Sequence, residues 1–194
     1  MFTLILPAHA LREEAETTIR AAYQRKHGAQ LDSLPSTLVA EIEADRVICA
    51  ASLRFAAEGF FSERYLDLPV EALVARHAGV RAARDTMAEV GSLAAARPGA
   101  LGHLVAGVIE HLQTRGIRWA FFTATARLRN LLRRIGIPLI ELGAADPHRI
   151  DNAEIWGGYY RHDPRVMLVG DDMLASGLGP RPNSTKMEPP CVTY

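Results

Sequence analysis

The stretch from Met87 to Gly143 restricts this chain to a small set of folds. It reads as an apolar strand holding one acid, Met87-Ala-Glu89-Val-Gly91-Ser-Leu-Ala94, followed by Arg97-Pro-Gly-Ala-Leu-Gly102 and a long apolar-faced helix. A second strand, Trp119-Ala-Phe-Phe-Thr-Ala-Thr125, then leads into a second helix that ends at Ile135-Gly136. A strand that passes through a glycine-bearing turn into a helix leaves several backbone N–H groups pointing outward unpaired, which suits a phosphate. A parallel neighbouring strand supplies a cleft in which such a ligand can react, so the function is expected here.

The remaining elements follow from periodicity. Phe2 to Leu6 reads as a short strand, and Leu11 to His27 as a helix with Leu11, Ala15, Ile19, Ala22 and Tyr23 on one face, closed by Gly28. Thr37 to Glu43 and Arg46 to Phe55 form a strand pair joined at Ala44-Asp45. Short helices are expected around Glu63 to Leu66 and from Val70 to His77, then a strand from Thr86 to Ala94. Helix Leu101 to Arg115 is stopped by Gly116. Strand Ile117 to Thr125 is nearly continuous in apolar residues, as for a strand covered on both faces. Helix Arg127 to Ile135 is expected to turn Leu128, Leu131, Leu132 and Ile135 inward and Arg127, Arg129, Arg133 and Arg134 outward. Pro138 to Leu142 and Val166 to Val169 close the sheet. Residues 1–178 make a single α/β domain with a mixed sheet, and 179–194, rich in Pro, Asn, Ser and Thr, a flexible tail.

Composition excludes some classes. The 194 residues, 48% hydrophobic, suffice for one domain with a sizeable core. The 22 basic and 22 acidic residues leave no overall field favouring nucleic acid, although basic residues cluster at Arg25-Lys26 and from Arg127 to Arg134. No window approaches the ~18 apolar residues of a membrane span, and Met1 to Pro7 lacks the basic leader of a signal peptide. Cys49 in a strand and Cys191 in the tail are not expected to pair, which fits a reducing, cytoplasmic setting. The histidines show no ligand spacing, so no metal is expected.

The order of elements, and the turn followed by a strand and an Arg-rich helix, resemble the GNAT acyltransferase fold. Within it, Arg129-Asn-Leu-Leu-Arg-Arg-Ile-Gly136-Ile-Pro-Leu-Ile-Glu-Leu-Gly143 resembles the matching stretch of acyl-homoserine-lactone synthases. A closer resemblance is to the thermostable hemolysins. It is carried by Phe61-Ser-Glu-Arg-Tyr65-Leu-Asp67, Glu89-Val-Gly-Ser-Leu-Ala94, Trp119-Ala-Phe-Phe-Thr-Ala-Thr125 and Trp156-Gly-Gly-Tyr-Tyr160, spanning residues 10 to 178. The resemblance implies a GNAT-like, mostly antiparallel mixed sheet with a central parallel strand–helix–strand unit and flanking helices. It also implies acyl transfer from a CoA or acyl-carrier-protein thioester.

Candidate site residues follow. Arg97, Gly99, Ala100, Leu101 and Gly102 would hold the donor's phosphate, with Arg127 and Asn130 from the next helix beside it. The turn departs from the GNAT pattern of a basic or Gln residue, two spacers, a glycine, a spacer and a small residue, so a carrier-protein donor stands beside CoA. Glu89, mid-strand among apolar residues, suits a general base whose pKa burial raises; the alternative is an ion pair with Arg54 or Arg84. Arg54, Thr123, Thr125 and Trp156 are the expected pocket residues. GNAT enzymes often use a tyrosine after the second strand as acid for the leaving thiolate; Leu132 and Arg133 stand there, so Tyr159 or Tyr160 would fill that role or line a pocket. Three functions compete: N-acyl transfer to a small amine, membrane lysis as the family name implies, and a non-catalytic acyl-thioester-binding module. The Arg-rich helix face is either solvated or a dock for an acidic carrier protein.

Overall fold

A computed structural model describes residues 1–96 and 99–170. Arg97 and the expected tail, 179–194, lie outside them. The strands are β1 (Phe2–Ile5), β2 (Thr37–Glu43), β3 (Arg46–Phe55), β4 (Met87–Ala95), β5 (Trp119–Ala124), β6 (Ile140–Ala144) and β7 (Arg165–Val169). The helices are α1 (Arg12–His27), α2 (Val70–Ala78), α3 (Ala100–Thr114) and α4 (Ala126–Arg134), with short 3-10 turns that include Ser62–Tyr65 and Tyr159–His162. Among the described residues these strands form one sheet, ordered β1-β2-β3-β4-β5-β7-β6. It is antiparallel except for β4 beside β5, the two strands that α3 connects. This is the GNAT-like α/β architecture, with its parallel pair at the centre.

Side-chain alternation assigns the faces. Leu38 and Ala40 of β2 join Ala15, Ile19 and Ala22 of α1 in one apolar cluster, whereas Val39 packs with Leu104 and Leu112 of α3. On β4 the same rule sends Met87 toward α2 and Ala88 toward α3. Past Ser92, whose φ is +48°, the parity inverts, and Ala94 meets α1. Such an inversion is what a β-bulge produces, because one extra residue shifts every later side chain to the other face. The β3–β4 register shifts at this point, from Ser52↔Gly91 to Ala50↔Ala94. Ala44 and Asp45, both at positive φ, make the tight β2–β3 turn read from the sequence.

Helix α4 differs from its expected orientation. Arg129 is buried, while Leu131 and Ile135 are 40% and 39% exposed. The Arg129 guanidinium donates to the carbonyls of Ala124 (2.8 Å) and Asp163 (2.5 Å) and to the Asp163 carboxylate (2.7 Å). It thereby ties the end of β5 to the turn before β7. Arg129→Ala leaves these carbonyls without their donor and is expected to destabilise the fold by about 2–4 kcal/mol, measured by urea unfolding. An unchanged midpoint would mean the clamp contributes nothing.

Candidate active site

The β4–β5 ladder runs Met87↔Trp119, Ala88↔Ala120, Glu89↔Phe121 and stops. Beyond Glu89 the strands part, and the bulge carries β4 away from β5. A Cβ on Gly91 would lie 2.9 Å from the Ser52 hydroxyl, which would have to turn aside. The gap opens into a cleft of about 420 Å³ bordered by Arg54, Ser62, Arg64, Glu89, Thr123 and Trp156. Val90 to Ser92 and Thr123 also border a second, almost wholly apolar chamber of about 80 Å³ between the sheet, α3 and α4, walled by residues such as Leu104, Val108, Phe122 and Leu132. The polar cleft and the apolar chamber therefore meet where the two parallel strands separate.

Glu89, 4% exposed, sits at that fork. Its Oε2 accepts from the Phe61 N–H (2.6 Å), and its Oε1 from the N–H (2.8 Å) and hydroxyl (2.6 Å) of Ser62. Burial pushes the carboxyl above the ordinary glutamate range; the Ser62 and Phe61 donors, and the more distant Arg54 charge, pull it partly back. A carboxylate offers about four lone-pair sites, so one remains open. Arg84 is no partner of Glu89: it binds Glu63 (2.6 Å) and Glu71 (2.8 Å) instead. Arg54, paired with Glu89 across the β3–β4 ladder, lines the cleft, and its charge favours the ionised form of Glu89.

Of the expected pocket residues, Thr123 and Trp156 border the cleft with Arg54, but Thr125 does not. β5 ends at Ala124, and Thr125 is the N-cap of α4, its side chain accepting from the Leu128 N–H at 3.5 Å. Tyr159 borders the cleft, yet its hydroxyl donates to the Thr123 carbonyl at 3.3 Å, and burial raises its pKa well above the ordinary value. The Tyr160 hydroxyl is paired with that of Tyr65 at 2.7 Å, and Tyr160 does not border the cleft. In this structure both phenols are hydrogen-bonded within the protein, Tyr159 at the edge of the cleft and Tyr160 outside it.

The aromatic wall is held from behind. Trp156 packs on Phe61, Tyr23 and Tyr159. The Gly158 N–H donates to the His27 carbonyl at the end of α1 (2.7 Å), and Gly157, at φ +53°, lies against the same carbonyl.

Because β4 and β5 are parallel, α3 and α4 both begin at the edge where the strands diverge. Gly99, in the left-handed region, caps α3, and neither it nor Gly102 has any atom within 4 Å of an added Cβ. Ala100 is buried and Leu101 half-buried, so the turn offers backbone rather than side chains. Arg127 and Asn130 are exposed on α4, outside the Glu89 cleft. Lys26 feels the positive charge of Arg127 and Arg25, which adds to partial burial in lowering its pKa. No local pattern in the sequence marks Lys26 as a neighbour of Arg127, or Ser62 and Arg64 as residues of the cleft. The Arg25-Lys26 cluster was visible, but its approach to a helix a hundred residues later was not. Among the described residues no group of three His, Cys, Asp or Glu side chains stands together for a metal, and no helix is long and apolar enough to cross a membrane.

Comparison with solved structures bears on the fold. FeeM, an N-acyl amino acid synthase from uncultured soil microbes, superposes with a TM-score of 0.62 at 14% identity, covering 91% of this chain and 98% of its own. MesI, a CoA-dependent acyl-homoserine lactone synthase, gives 0.59 at 16% identity over 92% and 91%. BjaI, another such synthase, solved with SAM and isopentyl-CoA, gives 0.56 at 17% identity over 90% and 87%. A search of curated proteins finds no match. The thermostable hemolysin family model matches residues 5–173, and the chain belongs to the thermostable hemolysin family.

Proposed function

We propose that this chain is an N-acyltransferase that moves an acyl group from a CoA thioester to the amine of a small acceptor bearing a carboxylate. The observation that carries this is Glu89, a buried acid at the fork of two parallel strands, where an apolar chamber meets a polar cleft. An acyl chain enters the chamber, the thioester carbonyl lies at the fork, and the acceptor occupies the cleft. Arg54 and Arg64 border that cleft and suit a carboxylate, since a guanidinium binds one in bidentate fashion. FeeM, an N-acyl amino acid synthase, supports the same acceptor class.

The amine attacks the thioester carbon directly. Cys49, the free cysteine of the described residues, is buried with its thiol pushed up to about 12 and does not border the cleft, so it does not serve as a nucleophile. Glu89 takes the amine proton as the N–C bond forms. In this reading the N–H groups at the start of α3 bind the donor's phosphates, and Lys26 and Arg127, near enough to feel each other's charge, add cationic contacts. Acyl-CoA draws on a cytoplasmic pool, and this reading locates the chain there.

A carrier-protein donor is the second reading. It is favoured by α4, which has no acid, exposes Arg127, Arg133, Arg134 and Leu131, and ends at the exposed Ile135.

Incubation with acyl-CoA thioesters of graded length and a panel of amino acids and other amines, read by mass spectrometry, tests the proposal. An acylated amino acid and free CoA in equal amounts are expected; no amide with any acceptor would refute it. Charge reversal of Lys26 and Arg127 together is expected to raise the donor KM roughly tenfold or more at low salt, with kcat little changed. An unchanged KM would put the donor's phosphates elsewhere.

A further inference from the structure

A thioester aminolysis needs a proton delivered to the departing sulfur, and both tyrosines expected to deliver it are otherwise engaged: Tyr159 at a backbone carbonyl, Tyr160 at Tyr65. The Glu89 site holds an alternative. Ser62, 2% exposed, has its hydroxyl oxygen 2.6 Å from Glu89 Oε1 and 2.8 Å from Thr123 Oγ1. A serine hydroxyl has one proton to give. With Glu89 ionised, Ser62 donates to the carboxylate and Thr123 donates to Ser62. With Glu89 protonated, both bonds can reverse, so that Glu89 donates to Ser62 and Ser62 to Thr123. Thr123 borders both the polar cleft and the apolar chamber, at the junction where the thioester must lie.

We propose that Glu89, Ser62 and Thr123 form a proton relay that carries the proton from the attacking amine to the departing thiolate, with the Thr123 hydroxyl as the general acid. The inference rests on the acyltransfer reading and deepens it. The neutral amine forms the N–C bond, and its proton passes to the open position on Glu89 Oε2; a half-turn of the now neutral carboxyl brings the protonated oxygen to the Ser62 side. As the C–S bond breaks, its electron pair stays on sulfur. Glu89 then protonates Ser62 Oγ, Ser62 gives its own proton to Thr123 Oγ1, and Thr123 gives its proton to sulfur. Each hydroxyl ends with one proton and Glu89 ends ionised, so rotation about the two C–O bonds resets the site. One carboxyl thus serves as base for the amine and, through two hydroxyls, as proton source for the thiolate. Thr123 is the catalytic residue here; Ser62 acts through its neighbours as a positioning residue.

Leaving-group dependence tests the relay. Octanoyl-CoA and the S-phenyl thioester of octanoic acid are compared on native protein, Thr123→Val, Thr123→Ser and Ser62→Ala, with mixed amino acids as acceptor and amide counted by mass spectrometry. A thiophenolate leaves without a proton, whereas the alkyl thiolate of CoA benefits from one. Thr123→Val is expected to lower kcat on octanoyl-CoA by about 10²-fold, in the range typical of a lost general acid. On the phenyl thioester its deficit should shrink to within about threefold, and Thr123→Ser should recover most of the CoA rate. Ser62→Ala should show the same selective deficit, which keeps the relay testable if Thr123→Val unfolds. Equal deficits on both thioesters, or none on either, would overturn the relay while leaving acyl transfer intact. Native protein that forms no amide from either thioester would overturn both.

Discussion

Glu89→Gln is expected to lower kcat for amide formation by about 10²–10⁴-fold, with a much smaller change in donor KM. Two physical effects combine. The base is removed, and the new amide NH₂ must face either the Phe61 N–H or the Ser62 donors, all of which now point at a carboxylate oxygen. Opposed donors of this kind cost about 1–3 kcal/mol, so the variant should also melt lower. The pH dependence has a definite sign. Because the folded Glu89 pKa is raised, the folded state keeps its proton over a range where the unfolded chain has lost it. The Glu89 contribution to stability therefore falls as pH rises from the ordinary glutamate range through the raised value. The native rate should rise over the same window as the base becomes available. Glu89→Gln should lose both slopes. A variant with native kcat would leave Glu89 as a support for the Phe61–Ser62 turn and nothing more.

The second large effect is structural. A Cβ on Gly157 would lie 2.3 Å from the His27 carbonyl oxygen and 3.0 Å from the Gly28 carbonyl carbon, both backbone atoms, at a backbone φ of +53°. Strain and overpacking each contribute about 1–3 kcal/mol, so Gly157→Ala should lower stability by about 3 kcal/mol or more. For a chain of this size that corresponds to a Tm fall of roughly 6–12 °C. Activity should fall further than stability alone requires, because the displaced segment carries Trp156 and Tyr159, which border the cleft. Gly28→Ala is the contrast. Its φ is +68° with no atom within 4 Å, so only the backbone cost of about 1–2 kcal/mol applies. Equal melting points for the two variants would show that the contact with α1 is not what requires glycine at 157.

What could be read from the sequence was what local pattern dictates. The elements and their order, the parallel pair, and Glu89 as a buried acid follow from period and composition. The expectations that failed depend on partners distant in the chain. Arg129 looks like one more solvated arginine until Asp163, 34 residues on, turns it inward. Ser62 carries no sign of its hydrogen bonds to Glu89 and Thr123, because Glu89 lies 27 residues away and Thr123 another 34. Thr125 continues the strand pattern in sequence, yet its cap geometry starts a helix one residue after the strand has ended. Ser92 at positive φ is a bulge that a period-two reading counts as an ordinary strand residue. That bulge opens the fork, so the strand that borders the cleft was legible in the sequence but the shape of the cleft was not.

The central claim is direct acyl transfer at the Glu89 fork, and the most direct test is the balance of free thiol against amide. Native protein should release thiol from acyl-CoA only when an acceptor amine is present, one amide per thiol, with no acyl group left on the protein by intact mass. Glu89→Gln should abolish both products together. Thiol release without amine, an acylated protein, or leakage of lipid vesicles by protein free of any thioester would contradict this account.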